Sequence, residues 1–546
     1  MTKKYTADEL NSLDKNTVCN IFLAMQDEVF SLQGEVVSLR ESVEKLVEQI
    51  RIANQARFGR RSEKSDVIDC QLSLFDEAEF YSDPSVSEPE VEEVVQSYKR
   101  KKPKGKREED LKGFPEEPFP HFLSKEELDA YFGEGNWREM KPDVYKRLRY
   151  EPAAWTVEVH TVGVYIGTGG DHQDEFLRGK KPKYAIPNSI ETPSLGGAIL
   201  NGKYVNALPL NRISQEFDRN GLTLSRQTMA NWVISYSKLF NPLWERMKEV
   251  LLSLPVVQCD ETPTIVVNDG EGKPGRSSYM WVHRSGELIK DMAIILYEYQ
   301  KTRHHMHPLE FYKDYHGFLE TDGLQQYHLV DQKLEGVTNA NCWTHARRDF
   351  AEACKAMDKK NPEAYKSSIA RQALKLIGLI FEAEEKLKDL SAEERLRKRR
   401  IKVSPLVEAF FVWVKEQLAA KAVLPKGRTY DGLNYCLNQE KYLRVFLTDG
   451  NVPIDNSAAE RAIRPFCLGK KNWVLINSIK GAQASAVCYS LAESAKANNL
   501  KPYKYFEHLL TVLPYRMDEN GNIDSSKLDD LLPWSKDLPE ECYKRR

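Results

Sequence analysis

The sequence predicts a multidomain α/β protein whose α/β core follows a coiled coil and a helix-turn-helix-like helical region. Three observations carry that prediction. Residues 22–53 hold an unbroken 4-3 apolar repeat, and residues 196–240 hold two amphipathic helical patterns joined at a glycine. From residue 253 short β-branched runs replace the helical period, then alternate with helices, before an almost wholly helical stretch over 350–445. A length of 546 residues sets a prior of about three or four domains. A hydrophobic content of 41% against 29% charged residues is enough to build packed cores.

Each element follows from its residues. Segment 1–64 opens without the apolar stretch of a signal peptide. Its repeat runs through Phe22, Met25, Val29, Leu32, Val36, Leu39, Val43, Leu46, Ile50 and Ala53. Val and Ile fill one core position and Leu the other, which favours a parallel two-stranded coiled coil. The alternative is one amphipathic helix packed on its own protein. ARFGRRSEKSD follows, a basic patch with Arg60 and Arg61 as candidate DNA contacts. Segment 65–118 reads as a charged linker. Segment 119–190 reads as a small mixed module, with a strand in TVEVHTVGVYIG. In segment 191–250, Leu210, Ile213 and Phe217 line one helix and Gly221 supplies the turn. Ser225 then caps a second helix that turns Met229, Trp232, Val233 and Tyr236 inward. A helix-turn-helix would place Arg226 and Gln227 where base edges are read; a helical hairpin with no DNA role fits the pattern equally.

Segment 251–349 reads as three hairpin-like strands followed by alternating strand and helix, 350–447 as a helical insertion, 448–485 as a return to the core, and 486–546 as a C-terminal helical segment. In VPIDNSAAERAIRPF, Asn456, Glu460 and Arg464 form a polar stripe beside an apolar one of Ala459, Ala462, Ile463, Phe466 and Cys467. Pro465 is expected to stop or bend that helix just after Arg464.

Charge is blocked along the chain, although 79 Lys and Arg nearly balance 81 Asp and Glu. Residues 65–97 hold ten acids and no base, whereas YKRKKPKGKR at 98–107 holds seven bases and RLRKRRIK at 395–402 holds six. Basic blocks of this kind are solvated faces or phosphate-binding patches. Nine scattered cysteines without a CxxC pair fit free thiols in a reducing cytosol. No apolar run approaches the roughly 20 residues of a membrane helix. The expectation is a soluble cytoplasmic protein with no membrane partner.

Candidate chemistry rests on Asp260 and Asp322, each at or just beyond the end of an apolar strand, and on Glu460. Three such carboxylates can hold two hard divalent cations for phosphodiester displacement. Arg464, Lys470 and Lys471 would face flanking phosphates. As bare spacing this pattern carries little weight among 81 acidic residues, and Glu460 reads as readily as a surface glutamate.

Longer blocks add weight. RFGRRSEKSD after the zipper, RLRYEPAAWTVEVH, KPKYA, LNGKYVNALPLNRISQEFDRNGLTLSRQTMANWV, CDET, LETDGLQQY, CWTHARRDF, IDNSAAERAIRPFCLGKKNWVL and SLAESAKANNLKPYKYFEHLLTVLP stand in order along almost the whole chain. With them the sequence resembles the transposases of the insertion-sequence family numbered sixty-six. The resemblance implies a ribonuclease-H-like catalytic core with a helical insertion, and catalytic, metal-binding roles for Asp260, Asp322 and Glu460. It implies Mg2+, two ions per site, with Mn2+ as a substitute. It further implies binding to element-end and target DNA, end cleavage and strand joining. The chain would act as at least a dimer through residues 22–53, with or without accessory proteins of the same element, in the bacterial cytosol or nucleoid.

The family's second module commonly binds zinc through cysteine pairs. Residues 119–190 contain no cysteine, only His121, His160 and His172, so no zinc is expected there. At the strand-to-helix junction of CWTHARRDF, Arg347 and Arg348 read equally as phosphate contacts or as a solvated pair. His345 reads as orienting a neighbour or the DNA more than as a chemical participant, and Asn456 as standing near a helix start. The rival readings are a non-catalytic DNA-binding regulator derived from a transposase, and a nuclease of the same fold that cuts without joining.

Overall fold

A computed structural model of the chain describes residues 14–20, 22–34, 126, 157–160, 164–166, 176–178, 182–187, 189–269, 277–357, 367–421, 423 and 425–544. Two compact units divide it: residues 61–180, and residues 1–60 together with 181–546. In the smaller unit the short strands β1 (Val164–Ile166) and β2 (Phe176–Arg178) pair antiparallel, Tyr165 opposite Leu177. That strand is shorter than the sequence pattern, since residues 157–160 are described outside any strand. His160 Nε2 lies 3.1 Å from Glu158. His121 and His172, the linker 65–118, Arg60, Arg61 and the second half of the coiled-coil repeat lie outside the described residues. Residues 15–20 and 22–34 are helical, and the repeat positions Phe22, Met25, Val29 and Leu32 are each at least half exposed.

The large unit is organised by a mixed sheet. Helices α1 (Pro193–Tyr204), α2 (Leu210–Arg219) and α3 (Arg226–Leu252) lead into it. Gly221 takes φ +85° in the turn, and Ser225 caps α3 by accepting from the Thr228 amide at 3.1 Å. Met229, Trp232, Val233 and Tyr236 are buried, and the apolar period continues to Leu251. Strand β3 (Val256–Asn268) pairs antiparallel with β4 (Ser277–Ser285), which pairs antiparallel with β5 (Ile295–Gln300). After α4 (Met306–Phe311), β6 (Gly317–Thr321) pairs parallel to β3 on its other side. Past α5 (Gln325–Lys333), β7 (Val337–Asn341) pairs parallel to β6 and runs into α6 (Trp343–Ala356). The order is β5-β4-β3-β6-β7.

The insertion comprises α7 (Ile369–Glu385), α8 (Ala392–Lys402), α9 (Ser404–Ala419), α10 (Arg428–Asn438) and the short α11 (Glu440–Leu443). Its core, with Phe410, Phe411 and Phe446, packs around Trp343 at the start of α6. The basic run 395–402 lies on α8, and part of it is interior. Arg399 is buried against Glu384 at 2.8 Å and donates to the Phe446 and Asp449 carbonyls. Arg395 donates to the carbonyls of Leu387, Lys388, Leu390 and Gly450. These guanidiniums satisfy loop carbonyls that a buried turn would otherwise leave unpaired.

The chain returns through α12 (Ser457–Trp473), β8 (Ile476–Ser478), α13 (Ile479–Ala497) and α14 (Pro502–Arg516). The helix does not stop at Pro465: α12 continues through it to Trp473. Proline removes one donor and crowds the preceding turn. There the Tyr297 hydroxyl donates to the Ala462 carbonyl, while buried Phe466 and Gly469 hold the rest of the helix in place. A Cβ on Gly469 would fall 2.2 Å from the Tyr489 hydroxyl, so only glycine permits this approach.

The boundary drawn at 485 falls inside α13, a helix that lies along the edge of the sheet. Ser490 Oγ accepts from the Tyr297 amide at 2.7 Å, and Ser494 Oγ accepts from the Ile295 amide at 2.9 Å and donates to its carbonyl. Asn498 bonds both backbone groups of Ala293. These side chains, at i, i+4 and i+8, cover the open edge of β5 and protect it from pairing with another chain. Among the described residues no helix is long and apolar enough to cross a membrane.

Candidate active site

Strand register decides the first half of the site. Val256, Val257, Gln258 and Cys259 are buried; Asp260 is the first residue of β3 to emerge. The strand does not end there, as the sequence reading had it, but continues along β4 to Ile265 and then along β8 to Asn268. It is β6 that ends. Its last parallel partner pair with β3 is Gln258 and Glu320. Two residues beyond that pair stand Asp260, still on β3, and Asp322, the first residue after β6, so the register brings both to the same end of neighbouring strands. Gly323 makes the turn with φ +85°, and a Cβ there would meet Asn341 and Tyr435 at 2.7 Å. The insertion braces this turn, because the Tyr435 hydroxyl donates to the Asp322 carbonyl at 3.1 Å.

Helix α12 packs on β3 and β4 and brings Glu460 to the same place. Its start is tied to the strand that carries Asp260. The buried Asn456 side chain donates from Nδ2 to the Cys259 carbonyl at 2.8 Å, and its own carbonyl accepts from the Glu460 amide at 3.2 Å. Because its amide is engaged there, Asn456 makes no side-chain cap to the helix; Asp455 does so instead, accepting from the Ser457 amide at 2.9 Å. Gln258 completes the clamp by donating to the Asp455 carbonyl at 3.1 Å.

Asp260 feels both of the other carboxyls. Burial first, then Glu261, Asp322 and Glu460, push the Asp260 carboxyl well above the usual range. Asp322 is raised to about 6 by burial and Glu261, and Glu460 is raised by burial. Compensating cations are Arg303 and then Arg348 for Asp322, and Arg348, Arg464 and Arg461 for Glu460. His345 Nδ1 stands 3.7 Å from Glu460, and its Nε2 is 2.6 Å from Arg348. Burial and Arg348 lower His345 to about 4, so the ring is neutral near pH 7. A neutral ring that accepts from Arg348 at Nε2 carries its proton on Nδ1, toward Glu460.

Other anticipated residues are less central. Arg347 is exposed and its charge acts on Cys354. The Lys470 ammonium donates to the Pro263 carbonyl, and Lys471 is exposed. Arg226 and Gln227 are exposed at the start of α3.

Sequence reasoning missed Glu261. Its carboxylate bonds Arg303, Gln326 and the Tyr327 hydroxyl, and it lies close enough to Asp260 and Asp322 to raise both. Adjacent acids in CDET were the available signal; the partners come from distant elements. Glu320 was missed as well. It is fully buried, and burial and Asp455 hold its carboxyl well above the usual range.

Among the described residues no three His, Cys, Asp or Glu side chains are already drawn together tightly enough to ligate an ion. The donor chemistry still fits hard divalent cations. Asp260, Asp322 and Glu460 supply oxygen ligands only, and the repulsion that Asp322 and Glu460 exert on the buried Asp260 carboxyl is what a cation would relieve.

Comparison with known proteins identifies the family. A family model described as "Transposase IS66 family" matches residues 188–484, more than half of the chain. Models described as "IS66 C-terminal element" and "Transposase C of IS166 homeodomain" match residues 490–534 and 45–118. Similar curated proteins come from Sinorhizobium fredii (strain NBRC 101917 / NGR234). "Uncharacterized protein y4hP" is 29% identical over 362 residues, 65% of this chain and 64% of that protein. "Uncharacterized protein y4jD" is 25% identical over 66% of this chain and 70% of its own length. "Uncharacterized protein y4qI" is 26% identical over 72% and 71% respectively. The match thus spans slightly less than two thirds of the first of these relatives.

Proposed function

This chain belongs to the IS66 transposase family, and we propose that it is a DDE transposase with a ribonuclease-H-like core. It binds the terminal inverted repeats of its own element, cuts at the ends and joins the freed 3′-hydroxyls to target DNA. The observation that carries this reading is the convergence of Asp260, Asp322 and Glu460 from two neighbouring strands and a helix far along the chain. Three antiparallel strands flanked by two parallel ones support the ribonuclease-H-like assignment.

Asp260, Asp322 and Glu460 would hold two divalent cations, Mg2+ or Mn2+. When bound, such a pair activates an attacking oxygen and stabilises the leaving one. The protein's own contribution is placement. Asn456 fixes the glutamate helix against β3, and Tyr435 braces the Asp322 turn. Arg348 and Arg464 hold phosphate oxygens beside the scissile bond. His345, neutral, steadies Arg348 through Nε2 and presents its Nδ1 proton to Glu460. Arg226 and Gln227 read base edges from the exposed start of α3. The exposed repeat of the N-terminal helix pairs two copies, which supplies the two-end complex that strand joining requires.

The test is incubation of the purified protein with labelled element ends and a supercoiled target, in Mg2+ and in EDTA. Metal-dependent nicking at the ends with joined product is the expected result, and Asp260→Ala should abolish cleavage while sparing end binding. An Asp260→Ala protein that cuts at the wild-type rate refutes the assignment. Free 3′-hydroxyls without joined product would favour a nuclease. Specific binding without nicking would favour a regulator, or a need for another protein of the element, which adding those proteins would separate.

A further inference from the structure

The segment after the glutamate helix is built under strain. The Trp473 carbonyl accepts from the Leu475 amide at 2.7 Å, and Val474 between them has φ 61° and ψ −53°. This is a γ-turn with positive φ, the rarer and more strained of the two kinds. A β-branched residue tolerates it worst. Neighbouring anchors impose it. The Trp473 ring packs edge-on against Phe466 at 5.5 Å, and Asn472 donates to the Ala207 carbonyl at 2.9 Å. Beyond the turn, Ile476 pairs with Val266 in β3. The chain is pinned on both sides, and the turn between must project. Val474 is left 60% exposed and Leu475 47% exposed.

Strained, over-determined turns of this kind cluster at ligand clamps and active sites. The surrounding charge identifies the ligand. Residues 464–481 contain Arg464, Lys470, Lys471 and Lys480 and no Asp or Glu, in a chain where acids outnumber bases. Lys471 and Lys480 are exposed. A protruding apolar tip with a cationic rim is complementary to duplex DNA, whose phosphates attract the rim and whose base steps admit an aliphatic wedge. A protein partner would account for the apolar tip but not for a rim of one sign.

We propose that the Val474–Leu475 turn is an apolar wedge that enters the base stack of element-end DNA near the cut; this rests on the transposase reading above. Leu475 inserts, Val474 sets its direction, and Lys471 and Lys480 hold the flanking phosphates. Along α12, at about 1.5 Å per residue, the turn stands on the order of 20 Å from Glu460. At about 3.4 Å per base step, that is roughly six base pairs from the scissile phosphate.

The experiment uses the full chain and duplexes carrying its own element ends, with 2-aminopurine placed singly across the cleavage region, in EDTA so that no cutting occurs. One position about four to eight base pairs from the cut should brighten severalfold on binding. Leu475→Ala should lose most of that signal and cut more slowly in Mg2+, and a mismatch at the responsive step should restore its rate. Leu475→Phe should keep the signal. Val474→Gly, which accepts positive φ without strain, should melt no lower than wild type yet lose brightness. No responsive position, or full brightening by Leu475→Ala, overturns the wedge while ends that are still cut leave the transposase reading intact. A lower sedimentation mass for Leu475→Ala with unchanged fluorescence makes the turn a contact between copies and also overturns the wedge. A protein that neither binds nor cuts its ends overturns both.

Discussion

Replacing Asn456 with alanine tests how the glutamate helix is registered against the strand that carries Asp260. The side chain is fully buried, and its amide is the donor to the Cys259 carbonyl at 2.8 Å. Removing it strands that carbonyl, at about 1–3 kcal/mol for a buried unsatisfied group. The small void left by the amide brings the total to about 2–4 kcal/mol. Gln258 loses only a long contact of 3.5 Å and keeps the Asp455 carbonyl. Asn456→Asp should be worse than alanine, since a carboxylate would face a carbonyl with no donor between them. Catalysis is more sensitive than stability. The Asn456 carbonyl also receives the Glu460 amide, so a shift of about 1 Å at this joint displaces the carboxylate and should lower end cleavage on the order of 100-fold. Thermal melting and an end-cleavage time course in Mg2+ measure the two effects, with end binding as the control. An alanine variant that melts like wild type and cuts within about twofold of its rate would refute the reasoning.

Ion binding should depend on pH. The Asp322 carboxyl keeps its proton up to about 6, so a cation must displace that proton below this value. Thermal stabilisation by Mn2+ should therefore weaken as pH falls from about 7 to 5; a flat profile over that range would count against Asp322 as a ligand. Glu384→Ala leaves the Arg399 guanidinium buried without its carboxylate, which should cost the insertion about 3–5 kcal/mol. Hydrogen exchange over residues 367–447 would show it, and unchanged protection would contradict it. The double variant Arg226→Ala, Gln227→Ala should keep its melting temperature, since both side chains are exposed, yet lose about tenfold or more in discrimination between element ends and unrelated DNA. Equal affinity and specificity would remove both residues from base reading.

By itself the sequence determined the features that depend on near neighbours. The α3 helix was legible from the Ser225 cap and the inward spacing of Met229, Trp232, Val233 and Tyr236, because capping and helical period act within a few residues. The strand and helix order around Asp260, Asp322 and Glu460 was legible for the same reason, and the resemblance to a family singled out those acids among 81. Only the tertiary structure decided which groups meet. Asn456 finds the Cys259 carbonyl 197 residues away, and Glu261 finds Tyr327 66 residues away. Arg395 and Arg399 belong to a run that reads as a solvated face or a phosphate-binding patch, yet they are interior because loop carbonyls of the insertion need donors there. Helix α12 survives Pro465, and Val474 bears a strained turn, because packing on Tyr297, Phe466 and β3 outweighs the local preference of the backbone. Local propensities amount to about 1 kcal/mol for most residues and 3 for proline, whereas burial and a satisfied interior polar group together exceed that. Where the two disagree, the tertiary contact prevails.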